Sequence, residues 1–158
     1  MNKTEMYNLM CRQMEALAED CESLLSNLSN ASALVYDTLE GLNWAGFYLL
    51  KDEALLLGPF QGKPACVKIQ IGKGVCGSAV SENKIMRIEN VHDFKGHIAC
   101  DCASNSEIVL PIRHNGKIMG VLDIDSPSLA RFDAEDEKGL AEFVSIMENV
   151  LDWEQKLI

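Results

Sequence analysis

The hydrophobic period of this chain changes twice, and the change dictates which layers it can build. Met6, Leu9, Met10, Met14 and Leu17 recur at three- and four-residue steps, the period of an amphipathic helix. A second helix is expected over residues 21–42, broken near residues 27–30, with Ser26, Ser29 and Asn30 as candidate caps. From residue 43 the pattern becomes short apolar runs of strand type, at residues 44–50, 54–60 and 65–71. Residues 74–82 suit a short helix, and residues 85–88 another brief strand. Residues 89–106 carry few large apolar side chains and read as a long loop, a kind of segment often functional in compact domains. Residues 107–113 and 117–125 make the clearest hairpin, turning at Asn115-Gly116. The helical period then returns. Asp133 is the expected cap, Glu135, Asp136 and Glu137 suit the first turn, and Leu140, Phe143, Val144, Met147 and Leu151 form the stripe. Helices, strands, loop, hairpin, helix: that order predicts an α+β domain, with an antiparallel sheet carrying its helices on one face.

We expect one domain over residues 1–158. Its helices occupy 1–42, its sheet and the loops of the candidate site 43–125, and its closing helix 133–156. The formal net charge of −10 argues against nucleic acid and anionic membrane, both of which require clustered Lys and Arg. No apolar run is long enough to span a bilayer, and residues 1–5 lack a signal-peptide layout. A cytoplasmic location is therefore expected. Four of the six cysteines fall between Cys66 and Cys102. Clustered thiols in a reducing compartment suggest thiol chemistry or metal binding rather than stapling.

On a strand, Asp123 and Asp125 share one face with Val121, while Leu122 and Ile124 face the core. Trp44 and Tyr48 likewise share a face, opposite Ala45, Phe47 and Leu49. Each pair has a bland reading, a solvated strand face or half-buried aromatics. Together they can hold an ammonium or methylthio group. Cys11 and Cys21, in the helical region, read as structural. Cys76 sits in a glycine-flanked run and Cys100 in the loop, positions that give access without themselves lowering a thiol pKa. His97, Cys100 and Cys102 form one cluster without the matching second half of a zinc site, so no metal and no cofactor is expected. A Cys–His–Asp hydrolase with His92, His97 or His114 as base has no local signature.

Several runs resemble the free methionine-(R)-sulfoxide reductases, which are GAF-domain enzymes. They are Asn43-Trp44-Ala45-Gly46-Phe47-Tyr48, Leu57-Gly58-Pro59-Phe60-Gln61-Gly62-Lys63, Gly72-Lys73-Gly74-Val75-Cys76-Gly77, Gly96-His97-Ile98-Ala99-Cys100-Asp101, Ser106-Glu107-Ile108-Val109, Pro111-Ile112 and Gly120-Val121-Leu122-Asp123-Ile124-Asp125. The resemblance spans about residues 35 to 150. It implies a six-stranded antiparallel GAF sheet, with the N- and C-terminal helices on one face and a loop-roofed pocket on the other. It implies reduction of free L-methionine-(R)-sulfoxide, with thioredoxin as recycling reductant, and often a homodimer. By position, Cys100 matches the catalytic cysteine, Cys76 a resolving cysteine, and Cys66 a third that can join the disulfide. Cys76 is the first choice of resolving thiol and Cys66 the second. Trp44, Tyr48, Glu107, Asp123 and Asp125 match substrate-pocket residues. Cys102 falls outside the family pattern. The alternative is a non-catalytic GAF module that senses a small molecule or redox state.

One geometric expectation follows. A strict two-residue turn at Asn115-Gly116 sets Glu107 opposite Ile124, on the core face. For Glu107 to join Asp123 and Asp125, the hairpin needs a bulge or an odd-length loop.

Overall fold

The computed structural model describes residues 1–96 and 103–157. Helices α1 (Lys3–Glu19) and α2 (Leu24–Thr38) lead into strands β1 (Trp44–Lys51), β2 (Ala54–Gly62) and β3 (Lys68–Gln70). Helix α3 (Gly74–Glu82), strand β4 (Met86–Ile88), the hairpin β5 (Ser106–His114) and β6 (Lys117–Ser126), and helix α4 (Ala134–Val150) follow. The strands form one sheet in the order β3-β2-β1-β6-β5-β4, with every pairing antiparallel.

The alternation read from the sequence assigns the two faces. Ala45, Phe47, Ile108, Leu110, Leu122 and Ile124 pack with the stripes of α1, α2 and α4 in the larger core. Trp44, Tyr48, Val109 and Val121 point the other way, into a smaller core shared with α3. The N- and C-terminal helices therefore cover one face, and the shorter α3 lies on the other.

Asp136 ties α4 to α1. Its carboxylate is fully buried and accepts from Tyr7 Oη at 2.8 Å, Lys3 Nζ at 2.8 Å and the Asp133 backbone N–H at 3.0 Å, with Arg131 at 3.4 Å. Asp133 caps the helix in turn. Here Tyr7 lies so close to α4 that a Cβ at Gly139 would stand 2.2 Å from its ring.

Three boundaries differ from expectation. Helix α2 is unbroken and capped by Ser23, not by Ser26, Ser29 or Asn30. Asn27 is tolerated inside it because its side-chain amide donates to Cys21 O at 2.9 Å, while Ser29 and Ser32 bond back to carbonyls of the same helix. The strand expected over residues 65–71 shrinks to Lys68–Gln70: Pro64 has no N–H to offer a ladder, and the chain first bonds to β2 at Val67, whose carbonyl accepts from Leu57 N–H at 3.0 Å. The closing helix stops at Val150 rather than 156. Leu151 adopts an extended conformation, and Trp153 turns back to bury its indole, donating to Met147 O at 2.9 Å. Gln155 then caps the start of α2 through Leu24 N–H at 2.6 Å.

A substitution at the helix crossing tests this packing. Gly139→Ala improves helix propensity but drives a methyl into the root of the Tyr7 ring, so the urea midpoint should fall by the equivalent of about 1–3 kcal/mol. An unchanged or raised midpoint would mean that the two helices are not in contact there.

Candidate functional site

The site begins with a count of residues in the hairpin. His114 pairs with Lys117 across Asn115-Gly116, and Arg113 with Ile118, but Ile112 pairs with Gly120. Met119 is the extra residue, a bulge of the kind the register demands. From there on β5 is shifted by one, so Val109 faces Asp123 and Glu107 faces Asp125. On the other side of β6, Trp44 lies opposite Asp125 and Gly46 opposite Asp123. One sheet face thus presents Trp44, Asp125 and Glu107 in a row, with Asp123 beside them.

The aromatic wall has its own support. Trp44 stacks on Phe60 with ring centroids 5.1 Å apart, and on Tyr48 at 5.8 Å. Gly46 makes this stack fit: a Cβ there would lie 2.2 Å from Phe60 Cβ. Trp44 Nε1 donates to Lys63 O at 3.1 Å, and Tyr48 Oη to Cys66 O at 2.9 Å. Both rings therefore hold the chain that forms the pocket rim. The opposite wall is the start of α3, where Gly74, Val75 and Cys76 face the acids. Pro64, Ala65, Ile69, Lys73 and Ser104 complete a small pocket, open at its mouth.

Charge crowding dominates the interior. Glu107 and Asp123 are buried, and Asp125 half-buried. Burial, then the charges of Asp123 and Asp125, push the Glu107 carboxyl well above its ordinary range. Asp123 is also raised by burial, but hydrogen bonding from Glu107 and Cys76 pulls it partly back. Both carboxyls are thus held above their ordinary range, and they titrate as a pair. Asp123 Oδ1 remains buried without a hydrogen-bond partner. The Cys76 thiol, almost fully buried, is pushed far up by burial and then by Asp123, Glu107 and Asp125. It is a protonated, weakly nucleophilic thiol.

Six of the residues singled out in the sequence line this pocket: Trp44, Tyr48, Cys76, Glu107, Asp123 and Asp125. Cys66 is half-buried at its rim and disulfide-bonded, whereas Cys76, placed ahead of it as resolving thiol, is a free thiol. Cys100, His97 and Cys102 lie outside the described residues. Cys11 is buried in the helical core and its thiol is pushed up to about 11, chiefly by burial, while Cys21 is half-buried beside the start of α2. His92 bonds to Asn105 and His114 lies near Glu154, and neither lines the pocket. The sequence reading did not single out Lys73, Ile69 or Ser104 as lining. Lys73 sits in the Gly72-Lys73-Gly74 run, so a signal was there. Ser104 had none, since the loop that carries it has no period.

The chain matches the GAF domain family model over residues 26–152. It is 58% identical over 151 residues to the free methionine-R-sulfoxide reductase of Escherichia coli K12, covering 96% of this chain and 92% of that protein. It is similar to the fRMsr of Staphylococcus aureus solved in complex with substrate, at 54% identity and a TM-score of 0.86, over 90% of this chain and 93% of that one. A free methionine-R-sulfoxide reductase from Neisseria meningitidis, also solved with its substrate, superposes with a TM-score of 0.90 at 38% identity, over 94% and 89%. The six-stranded sheet, the acid and aromatic pocket and these relatives agree: the chain belongs to the GAF-domain family and, within it, to the free methionine-(R)-sulfoxide reductases.

Proposed function

We propose that this protein reduces free L-methionine-(R)-sulfoxide to L-methionine by thiol chemistry. The observation that carries the reading is the crowding of Glu107, Asp123 and Asp125 in one pocket, which raises the Glu107 carboxyl, beside a disulfide-bonded cysteine, Cys66. A sulfoxide sulfur yields to a thiolate once its oxygen is protonated or strongly hydrogen-bonded. Glu107 suits that donation, because crowded carboxylates keep one of their number neutral. The Trp44–Tyr48 wall suits the methylthio end of the substrate, and the charge on Asp123 and Asp125 suits its ammonium. A peptide-bound residue lacks that ammonium and would leave the buried Asp123 unpaired, which favours the free amino acid.

In the proposed sequence the Cys100 thiolate attacks the sulfoxide sulfur while the oxygen takes a proton. The substrate's S–O bond breaks as the hydroxyl passes to the Cys100 sulfur, methionine leaves as the thioether, and Cys100 is left as a sulfenic acid. The Cys66 sulfur then attacks the sulfenic sulfur, the hydroxyl departs as water, and a disulfide forms. Cys66 is favoured over Cys76 as resolving thiol because it is the one found disulfide-bonded, and because the buried Cys76 is held in its protonated form. A dithiol protein of the thioredoxin kind would restore both thiols. Exposed Val67 beside Cys66 offers such a partner an apolar contact. Leu9 and Leu17 on α1 and Val150 on α4, all exposed, suit a homodimer. The three free cysteines among the described residues fit the reducing cytoplasm, and none of the described helices is long and apolar enough to cross a membrane.

Two measurements decide the proposal. Given both epimers of free methionine sulfoxide with dithiothreitol, the protein should consume the R epimer and spare the S epimer. Cys100→Ser should lose turnover by about 1,000-fold or more, as removal of a nucleophile does. Ligand binding without turnover in the unmutated protein would instead mark a sensor module. Glu107→Gln keeps a neutral group of the same shape in the buried position, so the fold should stand while kcat/KM drops by about 10²–10⁴-fold. A loss of only two- or threefold would remove Glu107 as the acid.

A further inference from the structure

The pocket holds negative and acidic groups with no buried cation among the described residues to balance them. Among the described residues, the one lining cation, Lys73, is exposed. Cys76 Sγ, an oxygen of Glu107 and an oxygen of Asp123 lie within 4.8 Å of one another, all three residues buried. Separately, Asp123, which lines this pocket and is only 5% exposed, keeps its buried Oδ1 without a hydrogen-bond partner. The geometry points to a second ligand for this chamber: a thiophilic divalent cation of the zinc class, bound by Cys76, Glu107 and Asp123 and excluding the amino-acid substrate.

The donor set selects the ion. Calcium and magnesium want six or more oxygens, and a sulfur contributes nothing to either. Copper(I) prefers an all-soft set of thiolates and thioethers. Zinc takes cysteine sulfur together with carboxylate oxygens in a tetrahedron, with bonds of about 2.0–2.3 Å, so its ligand atoms sit roughly 3.3–3.8 Å apart. Closing from the observed spread takes side-chain movement of about an ångström. Water or the neighbouring Asp125 fills the fourth position. Binding releases the thiol proton of Cys76 and the carboxyl proton of Glu107 to solvent, leaving thiolate and carboxylate on the ion. No electron moves and no bond other than coordination forms. The same step takes from the pocket its acid and its unpaired carboxylate, so the ion and the amino acid exclude each other. That exclusion rests on the reductase reading, whereas the cation site does not.

The test uses the intact protein with its Cys66 disulfide kept oxidised, so that Cys66 cannot ligate. Cobalt(II) is the spectroscopic probe. One equivalent should produce a thiolate-to-cobalt charge-transfer band and the strong visible bands of a four-coordinate ion, and zinc should bleach both. Cys76→Ser should abolish the charge-transfer band and weaken binding by about 100-fold or more, since even outer-shell groups contribute 10–100-fold. Cys21→Ser, remote from the pocket, should leave both unchanged. Glu107→Gln should lower the affinity with the charge-transfer band still present, a second check should Cys76→Ser fold poorly. No band, or a band that survives Cys76→Ser, overturns the site. Exclusion is read in single-turnover consumption of free methionine-(R)-sulfoxide by reduced, desalted protein. Equimolar zinc should slow it, excess sulfoxide should relieve the inhibition, and a chelator should reverse it. Binding of zinc with unchanged turnover overturns the exclusion. Absence of turnover without zinc counts against the reductase reading alone, and the cobalt spectrum still judges the site.

Discussion

One surplus residue in a strand makes this pocket. Without Met119 bulging from β6, the Asn115-Gly116 turn would carry Glu107 to the helix-covered face, opposite Ile124. A carboxyl placed there would be buried among Ile108, Leu110 and the stripes of three helices, with nothing to pair with. With the bulge, the same carboxyl meets Asp123 and Asp125, and the cost of burying it is lowered by sharing a proton. Because side chains alternate with period two, no smaller adjustment could achieve this.

The bulge matters only because the sheet has two differently used faces. The helical face is conventional packing, anchored where Asp136 gathers Tyr7, Lys3 and Arg131 at the crossing of α1 and α4. That anchoring is local to the helices and leaves the opposite face free to be irregular. There, Gly46 lets Phe60 close over Trp44, and the two aromatic donors hold the rim through Lys63 and Cys66 carbonyls. Rigidity on one side supports reactive crowding on the other, a division common where binding loops are mounted on a firm scaffold.

The chemistry of the pocket follows from its lack of a buried counter-charge among the described residues. A carboxyl kept neutral, a carboxylate with an idle oxygen and a buried thiol are each unfavourable alone. Together they make a chamber that favours cations and proton transfer. The same property is the common ground of the two ligands proposed for it, a zwitterionic amino acid and a thiophilic metal ion.

Periodicity by itself determined the layers of this protein. It determined that Trp44 and Tyr48 share a face, that Asp123 and Asp125 do so too, and that the hairpin needed an irregularity for Glu107 to join them, since these depend only on the two-residue repeat of a strand and on turn length. The cysteine-bearing runs carried the family. Tertiary structure alone decided where the closing helix ends, because Trp153 gains more by burial than by continuing α4, and no local residue signals that. It alone decided that Cys76 sits pressed against acids while Cys66 stands on the rim in a disulfide. Burial and electrostatic neighbours come from strands far apart in the chain, and no spacing of cysteines encodes them.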